Sequence, residues 1–333
     1  MKTTLTKLKI RYLAINVLFS LLLISNLNAT EVYKSKAAGM GPNIFKQYSM
    51  VRANSNDGFV YSGTTKGPNG QDVIHILKTD DNLATVWSYY YEISNVVSFN
   101  STKICKTYDG NGYFVSGYMG FTGSFKPLII KIDNVGNITD HVLLDHLGVF
   151  LDVEPTSDGG CIAVGFQSQG IEIAVIGNGG RRGLICKFDN SFNLSWSRAF
   201  HATSRTTNDN NYPEIAENVT IVNSAFTNYS DEYFIMGTII AETELKNIFV
   251  NRHRGYYCRL DNNGTLIYEN TLSLYYTPYD AVYDESNNSI FYVGKFDGSL
   301  ANPSTGIIGE INYNSGINIR VYAFEAAYVL PQP

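Results

Sequence analysis

The stretch SDGGCIAVG at Ser157–Gly165, followed by ICKFDNSFNLSW at Ile185–Trp196, decides the fold of this chain. The first part opens with a turn signal, because Asp and Gly tolerate the backbone angles of tight hairpins. The apolar run that follows is too short for a helix and predicts a buried strand. In the second part, the run around Lys187 predicts another strand, and DNSFN predicts a turn that leads into a third strand at Trp196.

Both parts occur five times in the 333 residues. The apolar run ends at Gly63, Gly117, Gly165, Gly237 and Gly294, with spacings of 54, 48, 72 and 57 residues. The second part follows each time, at Lys78, Lys131, Lys187, Arg259 and Glu310. Nine residues later an aromatic residue stands in three copies, as Trp87, Trp196 and Tyr268. With one more strand before each Asp-Gly turn, every copy predicts four antiparallel strands, a unit too small to be stable alone.

Radial packing of such units around a channel is the β-propeller. The pattern D-G-G-aromatic-I-V-x-G, then I-I-K-I-D-x-x-G-x-x-x-W, resembles the repeats of secreted bacterial β-propeller families over residues 45–325. The resemblance implies an exported propeller and specifies no activity, since propellers have many functions. Where such families commonly place Asp, five residues before the basic position, this chain has other residues: Val73, Lys126, Arg182, Arg254 and Thr305.

The predicted fold is therefore all-β, a propeller of four-stranded antiparallel blades. We count five blades, or six if residues 30–48 and 324–333 form another irregular sheet. The prediction is a single domain over residues 30–333, with an insertion at residues 201–218. Its repeat copies are predicted at residues 45–98, 99–147, 148–200, 219–274 and 275–325. Quinone-dependent propeller enzymes use more blades than this chain can supply.

Residues 1–29 read as a secretory signal peptide. Four basic residues precede the apolar stretch Tyr12–Ile24, and Ala29 is a plausible last residue before cleavage. A membrane-spanning helix needs about 20 apolar residues, more than this stretch has. We therefore expect a secreted, periplasmic or cell-surface protein with no transmembrane span in the mature chain, present as a monomer.

Charge limits the partners of the mature protein. The full chain has 25 basic and 30 acidic residues, and removing the four basic residues of the leader gives a net charge of −9. Nucleic acids and anionic membranes require a positive field, so a nucleic-acid partner is not expected. The expected partner is a glycan, peptide or protein.

Two basic clusters begin the related stretches RRGLICKFD and NRHRGYYCRLD. Arg182 aligns with Arg254, 72 residues later. We expect both clusters to lie in inserted loops on one face of neighbouring blades, where Arg side chains can bind a carboxylate or phosphate. The candidate ligand-binding residues are Arg181, Arg182, Arg252, His253 and Arg254. The alternative is that these charges pair with nearby acids or are simply solvated.

Other candidate chemistry rests on carboxylates. Four of them could approach the channel mouth as general acid and base: Asp145, Glu154, Glu214 and Asp280. No cofactor is expected, because GNGGRRG at residues 177–183 is followed by a strand where a dinucleotide-binding loop needs a helix. No metal is expected, because His141 and His146 have no further ligand cluster beside them.

The four cysteines are expected as buried thiols that act as small hydrophobes. A Cys161–Cys186 disulfide is the alternative, because these two residues lie on adjacent strands of one blade and an exported protein permits disulfides.

Two functions follow from these features. The interpretation we favour is a non-enzymatic propeller that binds a ligand or partner through its long-loop face. The alternative is a propeller hydrolase or lyase that acts on a carbohydrate. A compact pair of acids with at least one perturbed ionisation would favour the enzyme.

Overall fold

A computed structural model describes most of the chain as β-strands joined by turns. The described residues are 48–66, 70, 72–91, 98–121, 124–168, 181–200, 214–223, 231–245, 248–274, 276–296 and 305–324. They contain no helix, so the all-β prediction is confirmed. In this part of the chain, accordingly, there is no helix that could cross a membrane. The predicted signal peptide lies outside the described residues.

The strands form consecutive antiparallel groups of four, which we call sheets 1 to 5. Sheet 1 contains β1 (Tyr48–Arg52), β2 (Phe59–Lys66), β3 (Asp72–Thr79) and β4 (Thr85–Tyr91). Sheet 2 contains β5 (Ser98–Lys106), β6 (Gly112–Phe121), β7 (Ser124–Asp133) and β8 (Ile138–Leu143). A single parallel pair, Asp72 with Ser98, joins these two groups into one eight-stranded sheet.

The other three groups are separate four-stranded sheets. Sheet 3 contains β9 (Gly148–Pro155), β10 (Cys161–Ser168), β11 (Arg181–Phe188) and β12 (Leu194–Phe200). Sheet 4 contains β13 (Glu214–Asn223), β14 (Asp231–Leu245), β15 (Ile248–Leu260) and β16 (Leu266–Leu274). Sheet 5 contains β17 (Tyr276–Asp284), β18 (Ser289–Phe296), β19 (Thr305–Asn312) and β20 (Asn318–Phe324).

The apolar runs are continuous because the middle strands are buried on both faces. In β6, Tyr113 and Val115 pack toward sheet 1, whereas Phe114 between them packs toward sheet 3. In β14, Tyr233 packs toward sheet 3 and Phe234 toward sheet 5. Side chains alternate between the faces of a strand, so a strand with a neighbour on each side is apolar at every position.

Four hydrophobic clusters follow from this packing, and each joins two consecutive sheets. The first strands of the sheets also contact one another in chain order: β1 with β5, β5 with β9, β9 with β13 and β13 with β17. The sheets therefore stack side by side with their first strands adjacent.

The aromatic residue of the repeat ties one sheet to the turn of the next. Trp196 of β12 packs on Gly264, and its Nε1 donates a hydrogen bond of 3.1 Å to the carbonyl oxygen of Asn262. Gly264 has a φ of +76°, and a Cβ there would lie only 2.9 Å from the indole. Glycine is required at this turn for both reasons. Tyr268 packs in the same way on Gly316.

The basic residue of the repeat is a structural ion-pair partner. Lys187 Nζ lies 2.7 Å from Asp158 Oδ2, and its side chain is only 6% exposed. Lys78 pairs with Asp57 at 3.0 Å in sheet 1. In sheets 1 and 3 the repeated Lys therefore binds the Asp of the turn, whereas Lys131 of sheet 2 donates to Asn190 Oδ1 at 3.5 Å.

The segment from Thr238 to Gly255 includes the second basic cluster, which we expected to lie in an inserted loop, and it differs from that expectation. Its backbone continues β14 and β15 as a paired hairpin, with register from Thr238 opposite Gly255 to Leu245 opposite Ile248. The β-branched residues in TIIAETEL and IFV favour strand over loop. The predicted insertion at residues 201–218 likewise overlaps β13, which begins at Glu214.

All four cysteines are buried free thiols, as expected. Cys186 lies opposite Ala163 across the ladder, and Cys161 lies opposite Phe188. The two thiols of sheet 3 are therefore not direct cross-strand partners.

Candidate functional site

The repeated glycine at the end of each apolar run shapes the first strand of its sheet. A Cβ on Gly117, Gly165 or Gly294 would collide with a carbonyl oxygen of the adjoining first strand. At the same level the ladder shifts register by one residue in β5, β9 and β17. Each shift is a β-bulge, which re-aims the side chains that follow it. The glycine thus permits the close approach and fixes where the bulge occurs.

The residue after the bulge is charged in three sheets. Lys103, Asp152 and Asp280 each lie opposite the residue that precedes the repeated glycine. They therefore occupy equivalent positions on β5, β9 and β17. Asn218 has this position on β13, but its side chain lies outside the described residues.

Lys103 and Asp152 form an ion pair between sheets 2 and 3. Their Nζ and Oδ1 atoms are 3.6 Å apart, with the Asp152 side chain 3% exposed and the Lys103 side chain 32% exposed. The backbone N–H of Val153 also donates to Asp152 Oδ1, at 2.9 Å. Burial alone disfavours the ammonium form of Lys103, but the nearby carboxyl groups outweigh it and raise the pKa. Lys103 is therefore a cation held among acids.

Glu154 stands two residues beyond Asp152 on β9. Burial raises the pKa of the Glu154 carboxyl to about 8, and the charges of Asp152 and Asp280 add to this effect against the opposing charge of Lys103. Its side chain nevertheless keeps partial solvent access. At neutral pH Glu154 is mostly protonated, so it can donate a proton or a hydrogen bond.

Asp280 brings a third sheet into the same group. It is exposed on β17, and the Ala281 N–H donates to its Oδ1 at 2.9 Å. Its charge acts on both Lys103 and Glu154, which lie on sheets 2 and 3. We call Lys103, Asp152, Glu154 and Asp280 the first-strand cluster. It combines a protonated acid, two further carboxyl groups and one ammonium group, with the exposed Tyr279 directly before Asp280.

Two of the four predicted carboxylates belong to this cluster, Glu154 and Asp280. Asp145 does not, because its side chain is 97% exposed and pairs with Lys126 at 2.6 Å. Glu214 begins β13 opposite Ile239, and its side chain lies outside the described residues. Hydrogen bonding by Lys126 lowers the pKa of Asp145, as expected for an ordinary surface carboxylate.

The predicted basic residues lie at strand positions with equivalent register. Arg182 is opposite Gln167, two residues beyond Gly165, and Arg254 is opposite Ile239, two residues beyond Gly237. Arg181 begins β11, and Arg252 and His253 lie within β15. The side chains of all five lie outside the described residues, so their role as a ligand site stays a prediction.

Sequence reasoning missed Lys103 and Asp152. Lys103, Asp152 and Asp280 stand 14, 13 and 14 residues before the repeated glycine, so TKI, LDV and YDA align to within one residue, and this was the available signal. Cys105, equivalent to Glu154 in sheet 2, is fully buried, and burial raises the pKa of its thiol well above the usual value. It is therefore an unreactive part of the core.

The two histidines that the sequence analysis considered as metal ligands are His141 and His146. No group of three or more His, Cys, Asp and Glu side chains in the described part of the chain could hold a metal ion. His146 is buried enough to lower the pKa of its imidazole, and its Nε2 has no hydrogen-bond partner among the described residues.

No protein-family profile matches the sequence, and no curated protein matches it. The periplasmic gluconolactonase of Pseudomonas aeruginosa is similar in structure, with a TM-score of 0.48 and 10% identity over 82% of this chain and 68% of that one. A protein of unknown function from Bacteroides caccae has a TM-score of 0.42 and 12% identity, over 75% of this chain and 68% of that one. A DUF4221 member from Bacteroides vulgatus has a TM-score of 0.37 and 8% identity, over 85% of this chain and 86% of that one. These identities carry no activity across to the present chain.

Proposed function

We propose that this protein is an exported five-bladed propeller that hydrolyses or eliminates a glycosidic bond at the first-strand cluster. The proposal rests on Glu154, whose carboxyl pKa is raised to about 8 by burial and by the charges of Asp152 and Asp280, on the same strand as the Asp152 that pairs with Lys103. Cleavage of a glycosidic bond uses one carboxylic acid as proton donor and one carboxylate as base or nucleophile. Environments that drive two carboxyl groups to different protonation states separate these roles.

In this proposal Glu154 gives its proton to the leaving oxygen. The ammonium of Lys103 lies 3.6 Å from Asp152 and pairs with it. Asp280 is the more accessible carboxylate, because it is exposed on β17. Asp280 then activates water for hydrolysis or removes a proton from the sugar for elimination. Lys103 balances the negative charge of the first-strand cluster.

The proposed ring places the cluster at its channel. The sequential contacts of the first strands support this arrangement, and so does the charge interaction that reaches from sheets 2 and 3 to sheet 5. An experimental structure that identifies the neighbours of β1 tests the closure. A sixth sheet between sheets 5 and 1 would contradict the five-bladed ring.

The test of catalysis uses residues 30–333 and oligosaccharide panels, with reducing ends and unsaturated products measured separately. Glu154→Gln keeps the shape and removes the acid, and we expect turnover to fall by about 10²–10⁴-fold. Asp145→Asn is the matched control, and we expect it to retain wild-type turnover. No turnover of any panel member, or full turnover by Glu154→Gln, would contradict the enzymatic proposal.

A second candidate is non-enzymatic binding of an acidic glycan or partner through the arginine positions. It is favoured by the equivalent register of Arg182 and Arg254 in successive sheets. A glycan array that includes acidic sugars, probed with wild type and Arg182→Ala/Arg254→Ala, tests it. Loss of binding in a folded double variant supports this candidate, whereas equal binding by both proteins contradicts it.

A further inference from the structure

The sequence contains four Asn-Gly pairs, and the structure describes two of them completely. They are Asn111–Gly112 at the start of β6 and Asn263–Gly264 in the turn between β15 and β16. Asn before Gly is chemically labile, because Gly has no side chain to keep its backbone nitrogen away from the Asn carboxamide. We propose that Asn263 is a site of spontaneous deamidation in the folded protein and that the reaction loosens the junction between sheets 3 and 4. This site is independent of the first-strand cluster.

The reaction needs no enzyme and consumes only water. The backbone nitrogen of Gly264 attacks the Cγ atom of Asn263, and the new C–N bond closes a succinimide ring. The side-chain nitrogen leaves as ammonia and takes the proton of the Gly264 N–H with it. Water then opens the ring at one of its two carbonyl carbons. One product is aspartate, and the other is isoaspartate, in which the main chain continues through the former side-chain carbonyl.

The Asn263 carboxamide is accessible for this attack. The residue is exposed, and in the described part of the chain it is the backbone N–H, not the carboxamide, that hydrogen-bonds, to Asp261 Oδ1 at 2.9 Å. Asn111 is also exposed, but its Nδ2 donates to Asp109 Oδ2 at 3.0 Å. Its carboxamide is therefore held in place, whereas that of Asn263 can rotate toward the next residue.

The attacking nitrogens differ in the same sense. Gly264 lies in a turn, and its N–H donates one hydrogen bond of 3.0 Å to the Asp261 carbonyl oxygen. Gly112 belongs to β6, opposite Asp133 of β7. Its N–H donates to the Thr107 hydroxyl at 3.0 Å, and its carbonyl oxygen accepts from the Thr107 N–H at 2.9 Å. Local opening of a turn costs less free energy than separation of paired strands, so the pair in the turn should react faster.

The turn that contains Asn263 is also the turn on which Trp196 packs. The Trp196 Nε1 donates to the Asn262 carbonyl oxygen at 3.1 Å, and the indole lies against Gly264. Isoaspartate adds one main-chain atom between Asn262 and Gly264, so it changes the spacing of these two contacts. The indole should therefore slow the reaction, and the isoaspartyl product should weaken the tie between sheets 3 and 4.

The experiment measures deamidation site by site. Residues 30–333 are incubated at pH 8, folded or unfolded in urea, and the peptides are quantified by mass spectrometry that separates aspartate from isoaspartate. In the folded protein we expect Asn263 to react at least about ten-fold faster than Asn111, because the strand residue must break more hydrogen bonds. In urea the two sites should react at similar rates, because they share the same labile dipeptide.

Two variants, each checked for folding by circular dichroism, connect the reaction to the junction. Trp196→Phe removes the indole N–H, and it should raise the rate at Asn263 by about three-fold or more while the rate at Asn111 stays unchanged. Asn263→Asp has the charge of the aspartyl product without the longer main chain. It should unfold at the urea midpoint of fresh wild type, whereas aged protein enriched in isoaspartate should unfold at a lower one.

The outcomes separate the two parts of the proposal. Equal rates at Asn263 and Asn111 in the folded protein, a faster reaction at Asn111, or no product at Asn263 would overturn the modification site. This comparison uses wild type alone and holds even where Trp196→Phe does not fold. An unchanged rate at Asn263 in folded Trp196→Phe, or equal midpoints for aged protein and Asn263→Asp, would overturn the link to the junction.

Discussion

The charges at the Asp-Gly turns and those of the first-strand cluster are arranged in different ways. At the turn of sheet 3, each charge has its own partner: Lys187 Nζ binds Asp158 at 2.7 Å and the Phe188 carbonyl oxygen at 2.8 Å. In the first-strand cluster, the one ammonium group, Lys103, pairs with Asp152, and the charges of Asp280 and Glu154 also act on it. The first arrangement is complete without a ligand, and the second leaves an acid protonated.

The difference separates structural from functional charge in a repeat protein. The turn pair recurs in sheet 1 as Lys78 with Asp57, and in sheet 4 Arg259 pairs with Glu232 at 2.6 Å. Such pairs belong to the repeat and stabilise every copy in which they occur. The cluster instead uses positions where the copies differ, so it belongs to the assembled molecule. Charged residues outside the repeat pattern, at equivalent positions of several sheets, are the better guide to a site.

The largest stability effect should come from breaking the turn pair of sheet 3. Asp158→Asn leaves the nearly buried ammonium of Lys187 without its carboxylate. Removing one partner of a fully buried pair costs about 3–5 kcal/mol. Because Asp158 is 53% exposed, we expect a smaller loss, about 2–3 kcal/mol, in urea unfolding at pH 7.

The control is Asp81→Asn, which breaks an exposed pair with Arg52, and it should change stability by at most about 0.5 kcal/mol. The pH dependence adds a second check. Although burial works against its ionisation, hydrogen bonds led by that of Lys187 lower the pKa of Asp158. The stabilisation is therefore present above the unfolded pKa of about 3.9 and is lost as pH falls through the folded value. Equal losses in both variants would contradict a special role for the turn pair.

The stability contributed by the first-strand cluster should change with pH in the opposite direction. Glu154 has a folded pKa of about 8, above its unfolded value, so the folded state retains a proton that the unfolded chain releases. Wild-type stability should fall as pH rises from about 4.5 to 8. Glu154→Gln cannot ionise and escapes this loss.

We expect Glu154→Gln to be more stable than wild type by on the order of 2 kcal/mol at pH 8, after allowance for solvent access, and nearly equal to it at pH 4. Urea unfolding at several pH values measures the difference. A difference that stays constant across this range would mean that Glu154 ionises normally.

The fold could be predicted from the sequence because the signals for it are local. The turns at each Asp-Gly and the continuous apolar runs are consequences of tight hairpins and of strands buried on both faces. The site was harder to predict because the bulges opposite Gly117, Gly165 and Gly294 break the period-2 alternation of side chains. In β5, the ladder passes from Ser101 to Lys103 and skips Thr102. A strict alternation assigns Lys103 to the wrong face, and only the spatial order of the sheets brings Asp280 near it.

The smallest stability effects are expected from two threonine hydroxyls at equivalent sheet junctions. One of them has a hydrogen-bond partner and the other has none in the described part of the chain. Between sheets 1 and 2, Thr64 Oγ1 accepts a hydrogen bond of 3.1 Å from the Ser101 N–H. Between sheets 4 and 5, the buried Thr238 Oγ1 has no hydrogen-bond partner in the described part of the chain. The position that corresponds to Ser101 is Pro278, which has no N–H to donate.

Valine matches the shape of threonine and lacks its hydroxyl. Thr64→Val leaves the Ser101 N–H unsatisfied and should cost about 1–2 kcal/mol, whereas Thr238→Val removes an unpaired group and should be neutral or stabilising by up to about 1 kcal/mol. Urea midpoints of the two variants measure the contrast, since both changes remove the same atoms. A loss of stability in Thr238→Val as large as that in Thr64→Val would show that the Thr238 hydroxyl has a hydrogen-bond partner. The junction of sheets 4 and 5 would then be like the junction of sheets 1 and 2.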